Sequence, residues 1–228
     1  MLKKTLLISS VAILIIATVN FYSVAPKTSA LVKSDFTVVI DPGHGGIDSG
    51  VTGVVSGTNE SDLNLYLSKT LYKRFYAEGV NVALTRTTRD GLYDSFTKGF
   101  KKEDLKRRIE IADKLGCDLF ISIHMNKFSD GRRRGAQVFY KAGDEKSKLL
   151  SNAIQNQLNG IEESTRIFSS LAGDYYVLNN SGCTAVLIEC GFLSNEEDDK
   201  LLNSKEYREK LAERIFYGVE EFYDDFKN

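Results

Sequence analysis

FTVVIDPGHGG, residues 36–46, decides how the chain reads. Its first five residues are apolar or β-branched and predict a buried strand, and the glycines after it permit a sharp turn that returns His44 toward the strand end. The same arrangement recurs twice. DLFISI (118–123) is an apolar run followed at once by His124 in SIHMN, and TAVLIE (184–189) is an apolar run closed by Glu189. Helical stripes separate these runs. Glu60 to Glu78 carries Leu63, Leu67, Leu71 and Phe75 on one face and stops at Gly79, while Asp104 to Leu115 repeats the pattern through Leu105, Ile109 and Ala112 and stops at Gly116. VNVALT (80–85) and Ala136 to Tyr140 predict further strands, Tyr175 to Leu178 another short one, Asp144 to Asn159 a polar helix, and the C-terminal segment bearing YGVEEFYDDF a last helical region. Alternating strands and helices predict an α/β fold, a single domain with a mostly parallel twisted sheet and helices on both faces. Such sheets bind ligands along the edge formed by the C-terminal ends of their strands, which is where His44, His124 and Glu189 fall.

Composition narrows the field. The 228 residues hold 30 Lys+Arg against 31 Asp+Glu, a formal net charge of -1, with 42% hydrophobic and 27% charged residues. These are globular proportions with no broad cationic face, so binding to nucleic acid through phosphate contacts is not expected. With 18 Gly and only 2 Pro the chain is neither collagen-like nor low in complexity. Three cysteines, Cys117, Cys183 and Cys190, are too few for a disulfide framework, so a packed core must carry stability.

Residues 1–30 stand apart. Lys3 and Lys4 precede the apolar run LLISSVAILIIATV (6–19), and no charge follows until Lys27. This pattern predicts a signal peptide, with Thr28-Ser29-Ala30 a better cleavage site than Ser23-Val24-Ala25 because Pro26 follows the latter. Residues 5–26 are also long enough to remain as an N-terminal membrane anchor. Either outcome exports residues 31–228, which form the catalytic domain in this reading.

Two imidazoles and one carboxylate around an open fourth position form the usual ligand set of a hydrolytic zinc site, with a second carboxylate as general base. His44 and His124 supply the imidazoles. Glu189 and Glu60, the latter opening a helix whose dipole favours an ionised carboxylate, supply the acids. Competing readings are weaker. The glycine loop lacks the Gly-Lys-Ser/Thr of a phosphate-binding loop, and Asp48 stands where a dinucleotide fingerprint needs glycine. Cys190 could act as a thiol nucleophile, but a cysteine at a strand end reads better as a small packing residue. Arg86, closing the strand VALT, is expected to hold a loop by hydrogen bonds.

VVIDPGHGG, NESDLNLYLSKTL, VALTR, DLFISIHMN, GAQVFY, YYVL and VLIECGFLSNEED, in that order from about Phe36 onward, resemble the zinc-dependent N-acetylmuramoyl-L-alanine amidases of the Amidase_3 type. The resemblance implies that His44, Glu60 and His124 ligate Zn2+ and that Glu189 is the catalytic base. The implied reaction is hydrolysis of the amide between the lactyl group of N-acetylmuramic acid and L-alanine in peptidoglycan. Cys190 and the pair Asn179-Asn180 depart from the common pattern without touching a ligand position. The short domain, free of wall-binding repeats, is most similar to the CwlD-type amidases of the spore cortex, which prepare muramic acid for lactam formation. Arg132, Arg133 and Arg134, just after His124, are candidates to bind substrate carboxylates. An exported protein partner that localises or activates the domain is a further expectation, and a non-hydrolytic peptidoglycan-binding or scaffold protein of the same fold is the alternative function. A zinc peptidase or carbohydrate deacetylase is the third.

Overall fold

The computed structural model describes residues 36–95, 98–163 and 166–227. In chain order the elements are β1 (Thr37–Pro42), α1 (Glu60–Ala77), β2 (Asn81–Leu84), α2 (Phe100–Lys114), β3 (Leu119–Asn126), β4 (Gln137–Tyr140), α3 (Glu145–Asn159), β5 (Leu171–Ala172), α4 (Tyr176–Asn180), β6 (Thr184–Phe192), α5 (Glu196–Asn203) and α6 (Lys205–Lys227). They build one six-stranded sheet in the order β2-β1-β3-β6-β4-β5. All neighbouring pairs are parallel except β4 with β6. The mostly parallel α/β fold expected from the alternation of strands and helices is the one observed.

The apolar runs of the central strands follow from burial on both faces. Side chains alternate across the sheet, so Val38, Ile40, Leu119, Ile121, Val186 and Ile188 enter a large core under α1, α3 and α6, while Val39, Phe120, Ala185 and Leu187 enter a smaller one under α2 and α4. The stripe Leu63, Leu67, Leu71 and Phe75 of α1 is buried as its spacing requires. Gly79, at φ 75, lets the chain turn back into β2. Asn195 begins α5 by accepting hydrogen bonds from the N–H groups of Glu197 and Asp198.

Four local expectations change. Tyr175 to Leu178 is not a strand: Tyr176–Asn180 forms the short helix α4, which covers the smaller core with Val177 and Leu178. Helix α2 begins at Phe100, earlier than Asp104, because Gly99 at φ 101 breaks the preceding loop. The C-terminal helical region is two helices, parted at Ser204. Strands β3 and β6 run past the positions expected to end them, so His124 and Glu189 sit within strands and pair directly with each other. Residues 1–30, and with them the expected signal peptide or anchor, lie outside the described residues. Among the described residues no helix is long and apolar enough to cross a membrane.

Candidate active site

The turn after β1 is held by backbone and by two arginines. Gly43 N–H donates to Ile123 O at 2.9 Å and Gly45 N–H to Asp48 O at 2.9 Å. His44 is the one non-glycine residue with positive φ, 60°, among those described. Such a backbone persists only where its surroundings enforce it. Arg86 supplies part of that restraint, donating through Nε to Pro42 O at 2.9 Å and through Nη2 to Gly43 O at 2.8 Å. This is the loop-holding role expected of it. Arg108, 1% exposed, supplies the rest, donating to Pro42 O at 2.6 Å and His44 O at 2.7 Å. Its charge is matched by Asp41 at 2.7 Å and Asp104 at 2.6 Å.

Glu60, 2% exposed at the first turn of α1, is surrounded by donors. Val51 N–H reaches Oε2 at 2.9 Å and Met125 N–H reaches Oε1 at 3.1 Å. His44 Nε2 and His124 Nδ1 each lie 3.1 Å from Oε1. Two close approaches demand glycine: a Cβ on Gly43 would stand 2.2 Å from the His124 ring, and one on Gly50 would stand 2.4 Å from Glu60 Oε2. The two imidazoles meet edge to face with centroids 5.0 Å apart.

The result is a compact set of two nitrogens and one oxygen, each able to ligate, all within 4.8 Å of one another. Its electrostatics favour a cation. Burial by itself would lower the His44 pKa, but hydrogen bonds to Asp48 and Glu60 outweigh it and push the imidazole up to about 9. Burial would raise Glu60, yet the hydrogen bonds to His124 and His44 hold its carboxyl well below the usual range. Asp48 Oδ2 sits 3.0 Å from His44 Nδ1 and so fixes the ring with Nε2 facing inward, the support typical of a metal-binding histidine. The donor set suits zinc.

Glu189 differs. It pairs in register with His124, is 9% exposed, and its buried Oε2 has no hydrogen-bond partner. Burial first, then the negative Glu60, push its carboxyl up to about 7, against the lowering pull of His124 and His44. The three groups expected at strand ends and Glu60, expected at a helix start, are thus together, and a cleft of about 260 Å³ opens beside them between α2 and α4.

A family model for N-acetylmuramoyl-L-alanine amidase matches residues 38–221, a span that includes every one of these groups. The chain belongs to the N-acetylmuramoyl-L-alanine amidase family. It is 31% identical over 203 residues to the germination-specific N-acetylmuramoyl-L-alanine amidase of Bacillus subtilis, covering 87% of this chain and 84% of that protein. The CwlD amidase from Clostridioides difficile, solved in complex with the GerS lipoprotein, superposes with a TM-score of 0.80 at 36% identity over 84% of this chain and 100% of that one. An N-acetylmuramoyl-L-alanine amidase of Clostridium difficile 630 gives a TM-score of 0.74 at 31% identity, covering 83% and 97%. The protein is therefore a peptidoglycan amidase.

In this amidase the three arginines do not converge on the cluster. Arg132 is exposed and grips Asp130 with Nε at 2.9 Å and Nη2 at 2.8 Å. Arg133 lies over the Phe128 ring at 4.6 Å. Arg134 is turned inward to Glu197, to Asp198 and to Glu163 O, contacts that fasten the loop between β3 and β4 onto α5. Cys190 is fully buried and burial pushes its thiol up, the behaviour of a packing residue and the opposite of an activated nucleophile. Cys117 and Cys183 pack against the smaller core.

Asp48, Arg108 and Asn64 belong to the site without having been singled out in the sequence. Asn64 Nδ2 donates to Gly43 O at 3.2 Å, joining α1 to the turn that carries His44. Arg108 did leave a signal, since it falls on the buried stripe of α2 with Asp104 one turn before it. A charge at such a position must be matched inside the fold.

Proposed function

We propose that this amidase hydrolyses the amide between the lactyl group of N-acetylmuramic acid and L-alanine in a zinc-dependent reaction, with Glu189 as general base. The orphaned carboxylate oxygen of Glu189, beside a set of three metal-type donors, is the observation that carries this reading. His44, Glu60 and His124 would hold the zinc, which when bound supplies a Lewis acid for the scissile carbonyl and for the attacking water. The chain's own groups do the remaining work. Glu189 Oε2 takes a proton from the attacking water and delivers it to the nitrogen of the departing L-alanine, freeing the stem peptide. Asp48 keeps the Nδ1 proton of His44 directed away from the ligand side. Arg86 and Arg108 hold the backbone of the turn, so the strained His44 does not relax out of place. Arg132 and Arg133 offer charge to peptide carboxylates, and Arg134 orders their loop.

The physiological setting we infer is the spore cortex, where removal of stem peptides precedes muramic-lactam formation. Similarity to a germination-specific amidase and to CwlD supports this. Action there requires export, by a signal peptide or anchor within residues 1–30, to the cell envelope or spore intermembrane space. The CwlD amidase was solved with a lipoprotein, which supports an exported partner for this domain as well. The test is mass spectrometry of purified peptidoglycan incubated with the protein, with zinc and after chelation. New L-alanine amino termini that depend on zinc support the proposal. Released acetate would mean a deacetylase, and intact glycan and peptide would mean a binding protein.

A further inference from the structure

The cleft beside the ligand cluster is aromatic on one side and electrically balanced on the other. Tyr93, Phe100, Tyr175 and Tyr176 line it, and it reaches His44 and His124 at its inner end. Tyr93 meets Phe100 edge to face at 5.0 Å, and Tyr175 packs on Phe139 at 5.2 Å. Its cations are matched within the protein: Arg108 is bound to Asp41 and Asp104, and Lys101 to Asp48 at 3.0 Å. A carboxylate entering this cleft would lose its hydration without gaining a counter-ion, which is unfavourable. An uncharged ligand with apolar faces and hydroxyl edges would lose nothing of that kind. Its rings would lie on aromatic faces and its hydroxyls could reach the O–H groups of Tyr175 and Tyr176, that of Tyr93 being engaged with Ile47 N–H and Gly45 O.

The second pocket along the same rim has the opposite character. It is lined by Phe128, Asp130, Arg132, Arg133, Arg166 and Phe168; Arg132 is paired with Asp130, and Arg133, which lies over the Phe128 ring, brings positive charge beyond that pair. Its loop is tied to the turn after β6 by Phe128 N–H to Ser194 Oγ at 3.0 Å and Asn195 Nδ2 to Gly131 O at 2.6 Å. The aromatic cleft stands over the smaller core, with Leu105, Val177 and Leu187 in its wall. The arginine loop is instead fastened to α5, whose Leu202 belongs to the larger core.

A muramoyl peptide is chemically divided in the same way. On one side of the scissile amide is an N-acetylated pyranose whose lactyl carboxyl is consumed in the amide and which carries no charge. On the other side is a peptide bearing carboxylates. Resting on the amidase reading, we propose that the cleft between α2 and α4 is the N-acetylmuramoyl subsite and that the stem peptide leaves toward the Arg132–Arg133 loop. Tyr176 is the specificity residue of that subsite, since it is half-buried in the wall and takes no part in holding the ligand turn.

The proposal is tested with two substrates that share the amide and peptide, N-acetylmuramoyl-L-alanyl-D-glutamate and N-lactoyl-L-alanyl-D-glutamate, the second lacking the sugar ring. The ratio of their kcat/KM values should favour the sugar substrate in the parent protein. In Tyr176→Ala the ratio should fall by about tenfold, through KM, the loss expected for one aromatic contact, and Tyr176→Phe should restore most of it. Phe100→Leu should lower it in the same direction and serves if Tyr176→Ala folds poorly. Independently of turnover, a peptide-free N-acetylglucosaminyl-N-acetylmuramic acid disaccharide, its lactyl carboxyl capped as the uncharged methylamide and titrated by NMR, should bind the parent protein and bind Tyr176→Ala about tenfold more weakly. An unchanged substrate ratio, or disaccharide binding indifferent to Tyr176 and Phe100, would overturn the assignment. No turnover of either substrate by zinc-loaded protein would count against the amidase reading, and the disaccharide titration would still decide the cleft.

Discussion

Glu60 and Glu189 are both buried carboxylates within reach of the same imidazole, yet their surroundings drive them apart. Glu60 accepts from two backbone N–H groups and faces both histidines, and it is held ionised. Glu189 lies within β6 with one oxygen unpartnered and its carboxyl raised to about 7. A carboxylate with both oxygens engaged is built to stay put and to hold charge. One with a free oxygen and a pKa near neutrality is built to pick up and release a proton. Identical functional groups thus suit the different roles proposed for them because one opens a helix and the other lies inside the buried strand β6.

Breaking the first of these should have the largest effect. Glu60→Ala removes a proposed ligand and leaves the two imidazoles and two backbone N–H groups without their acceptor. Metal content by elemental analysis should fall to background, with activity lost entirely. Retained stoichiometric zinc would remove Glu60 from the ligand set. Glu189→Gln, close in shape but unable to take a proton, should lower turnover by about 10²–10⁴. A fall of less than about tenfold would mean that another group serves as base.

The contrast can be sharpened by pH. The base must be deprotonated to act, so kcat/KM should rise with pH through the Glu189 pKa, at or below about 7 because a bound cation would lower it further. Glu189→Gln should lose this limb of the profile. If the variant keeps it, the limb belongs to another group.

Arg108 lies further from the chemistry. Arg108→Ala leaves Asp41 buried without its counter-ion and should cost about 3–5 kcal/mol in denaturant unfolding, with the His44 turn loosened. In the parent protein burial would raise Asp41, but the Arg108 ion pair and hydrogen bonds from Thr85 and Ser122 win and hold it below 3.8. A depressed native pKa adds stability above the unfolded value and loses it as pH falls through the native one, so the melting temperature should drop as pH falls below about 4. Arg108→Ala should be much less sensitive over that range. The smallest effect is expected from Cys190→Ala, with turnover within about twofold and stability reduced by about 1–2 kcal/mol. Loss of all turnover in a folded Cys190→Ala protein would revive the thiol mechanism.

The parts of the site that were legible in the sequence are those with a strong local signature. His44 follows glycine after a strand, His124 and Glu189 close apolar runs, and Glu60 opens an amphipathic helix. Asp48 and Arg108 were hidden because their roles exist only after folding: a loop must close to bring Asp48 to His44, and α2 must pack before Arg108 meets Asp41. Tyr175 to Leu178 was misread because four apolar residues suit a strand or a buried helical turn equally, and only packing on the smaller core selects α4. Arg132 to Arg134 read as one patch but separate in space, since Asp198 behind the loop draws Arg134 inward.

Zinc stoichiometry of purified Glu189→Gln, measured beside the parent protein, tests the division of labour between the two carboxylates most directly. Equal zinc content with turnover lowered by about a hundredfold or more is the expected result. Zinc lost together with activity would make Glu189 a ligand and contradict the roles assigned to both.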